Sequence, residues 1–178
     1  MNRLLLINLL EKYSHTASEL RSKNSIISFI KDNKNCFDRE LEEGHITGSA
    51  WLLNKQGDKA LLMHHKKLNR WFQPGGHADG NPDILAVSIK EAREESGINS
   101  IVPVSEKIFD IDVHKIPSNL KEKEHFHYDI RFLLQVNSDE VLHMNEEAKE
   151  LRWIGKSIEE VMTDDESVVR MFHKWINL

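Results

Sequence analysis

The sequence predicts an α/β (α+β) layered domain. Three observations carry that expectation. Residues up to about Glu43 hold their apolar side chains at helical spacing, the chain after Gly44 changes to strand-like runs separated by turn residues, and one sharply punctuated helix lies among those runs between Asn81 and Gly97. Strands interspersed with helices form layers because each element buries an apolar face against another.

The elements follow in order. Leu5, Leu6, Leu9 and Leu10 lie three to four apart in a first helix. Thr16-Ala17-Ser18-Glu19 reads as a capping box opening a second, with Leu20, Ile26, Ile27, Phe29 and Ile30 on its apolar side. With the acidic stretch Asp38–Glu43 they form a helical extension, 1–43, expected to pack on the main domain or on a second subunit; capping a substrate is the alternative. The main domain is 44–178. Ile46–Leu53 reads as a strand, Lys55–Asp58 as a turn and Ala60–Met63 as its partner. Trp71, Phe72, Pro74, Gly75 and Gly76 form a loop into the punctuated helix. Lys107–Ile116 and Phe126–Val136 alternate as strands, and Trp153-Ile154 closes the sheet. Two C-terminal helices are expected, the last with Val168, Val169, Phe172, Trp175 and Ile176 on one side.

Composition narrows the function. The chain has 178 residues, is 39% hydrophobic and 30% charged, and carries a formal net charge of -5. It can therefore bury a core, but it lacks the basic surplus of a protein that lives on bulk nucleic acid. A nucleotide substrate stays open, because a metal can supply the positive charge. The single cysteine, Cys36, suits a reducing compartment, and the run Leu4–Leu10 is too short for a membrane span and lacks a cleavage site. The expectation is a cytoplasmic protein without membrane contact, and the apolar N-terminal helices suggest a homodimer.

The informative segment is Gly75–Ile98. Asn81 is placed to cap, Pro82 to take the first helical position, Asp83 to meet the dipole and Gly97 to end the helix. Leu85, Ile89 and Ala92 should face the core, whereas Glu91, Glu94 and Glu95 share another face at offsets of three and four. Like charges at that spacing, two of them in the last turn, each cost up to about 1 kcal/mol. A solvated charged face relieved by Lys90 and Arg93 is the alternative. Pro74-Gly75-Gly76-His77 before the helix offers a close backbone approach and carbonyl oxygens. Carboxylates and carbonyls are hard donors suited to magnesium.

Here the chain resembles the Nudix hydrolase family, whose box reads G, five residues, E, seven residues, R-E-U-x-E-E-x-G-U. Gly76, Glu91, Ala92, Glu94, Glu95, Gly97 and Ile98 match at the required spacing, and Trp71–His77 resembles the run that leads into the box. The family's first glutamate falls on Pro82 and its arginine on Lys90. Those two side chains brace the loop in the family, so Asp79 or Asp83 is the substitute brace to look for, through Lys90. The resemblance implies an α/β/α sandwich around a central mixed sheet. It also implies hydrolysis of a nucleoside diphosphate linked to another group (a nucleotide sugar, dinucleotide or nucleoside triphosphate). Magnesium, or manganese in its place, would be held by Glu91, Glu94, Glu95 and the Gly75 carbonyl. The base comes either from the box glutamates, Glu91 and Glu94, or from a later loop, where Glu147 is preferred over Glu146 and Glu150. Gly76, His77 and Arg131 are the expected substrate contacts, and the partner is a small phosphorylated molecule. Two alternatives remain: a non-catalytic nucleotide sensor, and a hydrolase or isomerase of a non-nucleotide diphosphate such as an isoprenoid. The isomerase would want a cysteine in the site, and Cys36 lies in the extension.

The other signals are weaker. His64, His65, His114, His125 and His127 invite a zinc site but lack a thiol or second-pair context. His125, His127, Asp129 and Arg131 alternate onto one strand face, read as a polar lining of the cleft. Trp51, Trp71 and Phe72 can either stack on a base or fill the core.

Overall fold

The computed structural model describes residues 2–14, 16–118 and 123–178. Helices α1 (Arg3–Lys12) and α2 (Glu19–Asp32) open the chain. The Glu19 carboxylate accepts the Thr16 N–H at 3.0 Å and its hydroxyl at 2.7 Å, so the expected capping pair forms through the acid. Leu6, Leu10, Ile26, Phe29 and Ile30 are buried, and Phe29 stacks on Tyr128 at 3.9 Å between ring centroids. The extension therefore packs on the sheet.

The strands are β1 (Gly44–Leu53), β2 (Ala60–His65), β3 (Arg70–Phe72), β4 (Gly75–His77), β5 (Ile101–Ile116), β6 (His125–Val136) and β7 (Ala148–Ile154). They form one mixed sheet in the order β3-β2-β1-β6-β5, with β4 paired to β1 and β7 to β2. β1 and β6 are parallel along their whole length; the other pairings are antiparallel.

Each strand's alternation assigns its two faces. Ile46, Ala50, Leu52, Ile130, Phe132 and Leu134 share a core with α1, α2 and α3 (Ile84–Ser96), and Ile84 and Ser88 sit directly over Gly48. Trp51, Leu53 and Leu133 face the other way and pack on Val168, Met171, Phe172 and Trp175 of α4 (Glu166–Ile176). Helices thus cover both faces of the sheet, giving the α/β/α sandwich. Among the described residues, no helix is long and apolar enough to cross a membrane.

Several boundaries differ from expectation. The Gly75-Gly76-His77 loop is a strand: Gly75 pairs with Ser49, Gly76 with Gly48 and His77 with Thr47. β5 starts six residues before Lys107, and its register shifts between Pro103, Ile108 and Asp110. Pro103 gives no ladder donor and the charged edge hides the alternation. The first of the two expected C-terminal helices is a single 3-10 turn at Ile158–Glu160, where Ile158 stays 49% exposed with no core to join. On α4, Ile176 is exposed rather than buried.

Candidate active site

Helix α3 begins two residues later than its sequence signals suggest. Asp83, not Asn81, caps it, accepting the Ala86 N–H at 3.1 Å, while Asn81 holds the Asp83 N–H at 2.9 Å. Pro82 therefore precedes the helix. Gly97 ends it at φ 72°, a left-handed conformation that favours glycine. Ile84, Val87, Ser88 and Ala92 make the buried face, and the expected Leu85 and Ile89 lie at its border.

The three glutamates lie in three different environments. Glu94 is exposed, with its side chain 56% accessible; that of Glu91 is 15% accessible, and Glu95 is buried at 5%. β4 sets this gradient. The Gly75 N–H donates to Glu95 Oε2 at 2.9 Å. A Cβ at Gly76 would lie 2.4 Å from Glu91 Oε2, so only glycine lets the backbone approach this closely. Lys90 bridges Glu91 at 2.8 Å and Glu94 at 2.9 Å; it does not reach Asp79 or Asp83. Asp79 instead faces Arg39 at 4.0 Å.

Burial pushes the Glu95 carboxyl up to about 8; the Gly75 N–H opposes this, and the charges of Glu91, Glu147 and Glu94 add to it. Glu147, ahead of β7, is thus close enough to act on Glu95, and it acts on His65 as well. Glu150 is occupied by Arg152. Glu146 offers its main-chain carbonyl to Lys66 at 3.3 Å. The donor set around α3 is all oxygen, the charges of Glu91, Glu147 and Glu94 bear on Glu95, and Lys90 pairs with Glu91 and Glu94. That chemistry fits a hard divalent ion such as magnesium.

Arg131 is elsewhere. It is 2% exposed, and its guanidinium donates to Asp129 at 2.6 Å, Asp110 at 3.0 Å and Ser167 at 3.1 Å. A guanidinium buried among carboxylates lies out of a substrate's reach, so the expected contact is corrected to a structural tie between β5, β6 and α4. His77 also turns away. Gly76 faces Glu91, so the next side chain along the strand points to the opposite side of the sheet, where His77 meets His45 and His127. Burial and the neighbouring histidines His114, His45, His77 and His125 bring His127 down to about 2.

The buried polar face is more extensive than the sequence reveals. Asp129 accepts Thr47 and Ser49 hydroxyls, each at 2.8 Å. Asp110 accepts Arg170 at 2.8 Å and Lys174 at 2.6 Å, and Lys174 continues to Tyr13 and Glu19. Two grooves flank this side. One, of about 430 Å³, is lined by His64, Asn69, Arg70, Trp71 and Met162; the other, of about 380 Å³, includes Arg70, Asp112, Ser167 and Arg170. Trp71 lies parallel to His64 at 4.9 Å with Arg152 over its ring, whereas Trp51 is fully buried against Trp175.

Comparison with known proteins agrees with this architecture. The NUDIX domain family matches residues 45–173. A probable DHNTP pyrophosphohydrolase of Lactococcus lactis subsp. cremoris (strain MG1363) is 31% identical over 94 residues, spanning 52% of this chain and 55% of that protein. The chain thus spans about half the length of that curated relative. An Ap4A hydrolase of C. elegans superposes with a TM-score of 0.59 at 16% identity, covering 74% of this chain and 95% of its own. A NUDIX-family hydrolase from Clostridium perfringens does so with a TM-score of 0.55 at 25% identity, covering 75% and 97%.

Proposed function

The chain belongs to the Nudix family, and we propose that it is a magnesium-dependent pyrophosphohydrolase acting on a nucleoside diphosphate linked to a further group. One observation carries this reading: on α3, Glu91 meets the Gly76 backbone and Glu95 accepts the Gly75 N–H, with Glu94 beside them and tied to Glu91 through Lys90. These glutamates would hold the ion, with the Gly75 carbonyl as a further donor and manganese as a substitute. When bound, the metal supplies neutralisation of the phosphate charge and a lowered pKa for water.

The chain's own residues do the rest. Gly75 fixes the Glu95 carboxylate through its N–H, which keeps one ligand in place without a moving side chain. Lys90 screens Glu91 from Glu94. Glu147 is assigned the base, because it is the carboxylate of its loop whose charge reaches both Glu95 and His65. The similarity to a probable DHNTP pyrophosphohydrolase and to the fold of an Ap4A hydrolase supports a nucleotide-like substrate and places DHNTP and dinucleoside polyphosphates on the panel to be tested.

The test is product release from triphosphates including DHNTP, nucleotide sugars, dinucleotide cofactors and dinucleoside polyphosphates, with magnesium, by the wild type and by Glu94→Gln. Turnover abolished by chelator and lowered at least about a hundredfold in the variant is the expected result. Metal-dependent binding without turnover would instead make the protein a sensor. Unchanged turnover in Glu94→Gln would remove the metal from these residues.

A further inference from the structure

Opposite the glutamates, on the other side of the sheet, three histidines from separate strands meet. His45 (β1) and His127 (β6) are direct partners in the parallel ladder, and His77 lies on β4, the neighbour of β1 on its other side. Their ring centroids form a near-equilateral triangle with sides of 4.8, 4.9 and 5.1 Å. His45 is buried at 2%, while His77 and His127 are partly open. We propose that His45, His77 and His127 form a second metal site, taking a zinc-class divalent ion through imidazole nitrogens.

One ligand atom from each ring lies within 4.8 Å of the others. Zinc–nitrogen bonds of about 2.0–2.1 Å put tetrahedral ligands about 3.3 Å apart, so the rings close in by at most about 1.5 Å, a distance that side-chain rotation covers. Two further histidines support the triangle. His125 places Nδ1 2.8 Å from the Lys123 carbonyl, which can only accept, so the proton sits on Nδ1. Its Nε2 is then an acceptor 3.3 Å from His127 Nε2, which orients His127 with Nδ1 as the lone-pair nitrogen. His114, 5.4 Å from His127 between centroids, is held by Asp112 at 3.0 Å. Outer partners that fix ring tautomer and orientation are the usual support of metal-ligating histidines.

Donor chemistry separates the two sites. Imidazole nitrogens select zinc, cobalt, nickel or copper, whereas the oxygen set on α3 suits magnesium. Three protein ligands leave a fourth position for water or a substrate atom. The ion would tie β4 to β1 and β6 and so fix Gly75 and Gly76, the backbone that meets Glu95 and Glu91. In a chain with Pro82 and Lys90 at the family's bracing positions, the histidines supply a brace from the far side of the sheet.

The experiment uses untagged full-length protein, stripped with chelator and titrated with cobalt as a spectroscopic probe, then with zinc in competition. Wild type, His77→Gln, His127→Asn and Glu91→Gln/Glu94→Gln are compared, with thermal melts as a control for folding. The expected result is one equivalent of cobalt with visible d–d bands, displaced by zinc, and unchanged in the glutamate variant. Affinity should fall at least about a hundredfold in His77→Gln, whose melt in chelator matches the wild type. Equal affinity in wild type and both histidine variants overturns the proposal, as does a signal lost with the glutamates. Because the readout is metal binding, a failure here leaves the hydrolase reading to its own assay.

Discussion

Glu91, Glu94 and Glu95 lie within one turn of helix yet differ from exposed to buried, and the two glycines of β4 create the difference. Their substitutions should fail in opposite ways. In Gly76→Ala the new methyl meets the tip of Glu91 at 2.4 Å, a flexible group that can swing away. The fold should survive and turnover should drop about a hundredfold, as expected when a ligand is displaced by about 1 Å; a melt beside a rate assay checks both. In Gly75→Ala the methyl meets Ser49 down to its Cα at 2.9 Å, so the β1–β4 pair must part. That variant should lose about 1–3 kcal/mol in urea denaturation before activity is considered. Arg131→Met gives a third test. With Asp129 left buried without its cation, stability should fall by about 3–5 kcal/mol. A folded Arg131→Met with a raised KM alone would restore the arginine to substrate binding.

At the scale of elements, the sequence was most legible where local chemistry decides conformation. The ends of α3, the turn after Leu53 and the face of α4 carried their own signals, because caps, glycines and apolar period act within a few residues. The cap on α3 illustrates the remaining error: Asn81, Pro82 and Asp83 all suit a helix start, and the choice of Asp83 depends on Ile84 docking over Gly48. Asp83→Ala should therefore cost about 1 kcal/mol, whereas Asn81→Ala should cost less, measured as a difference in denaturation midpoint. That Glu91, Glu94 and Glu95 sit together on one helix was legible for the same local reason. The histidine triangle was not. His45, Thr47 and Ser49 alternate on β1, and His127, Asp129 and Arg131 on β6, but only the parallel register brings the two rows together. Strand pairing joins residues some eighty apart, and nothing in either segment states its partner.

Across the whole molecule, one ionic chain runs from the N-terminal extension through the sheet to α4. Glu19 is buried, which opposes its ionisation, but hydrogen bonds from Lys174 and Tyr13 outweigh that and bring it down to about 2. A carboxyl depressed in the folded state stabilises above its ordinary value near 4.5 and loses that contribution as pH falls toward 2. Acid unfolding of the wild type should therefore steepen between about pH 4.5 and 2, and the difference from Glu19→Gln should shrink across the same window. At neutral pH, Glu19→Gln should cost about 1.5–3 kcal/mol by removing one charged partner from Lys174, which keeps Asp110. The contact between Lys174 and Tyr13 spans 161 residues, and β1 finds its parallel partner some eighty residues later. A ribosome making about 5–20 residues per second therefore holds the early helices and β1 for many seconds before their clasp exists. During that interval the nascent chain shows unfilled strand edges and a Glu19 that lacks Lys174, so its exposure to chaperones and proteases is set by the time needed to reach and translate α4.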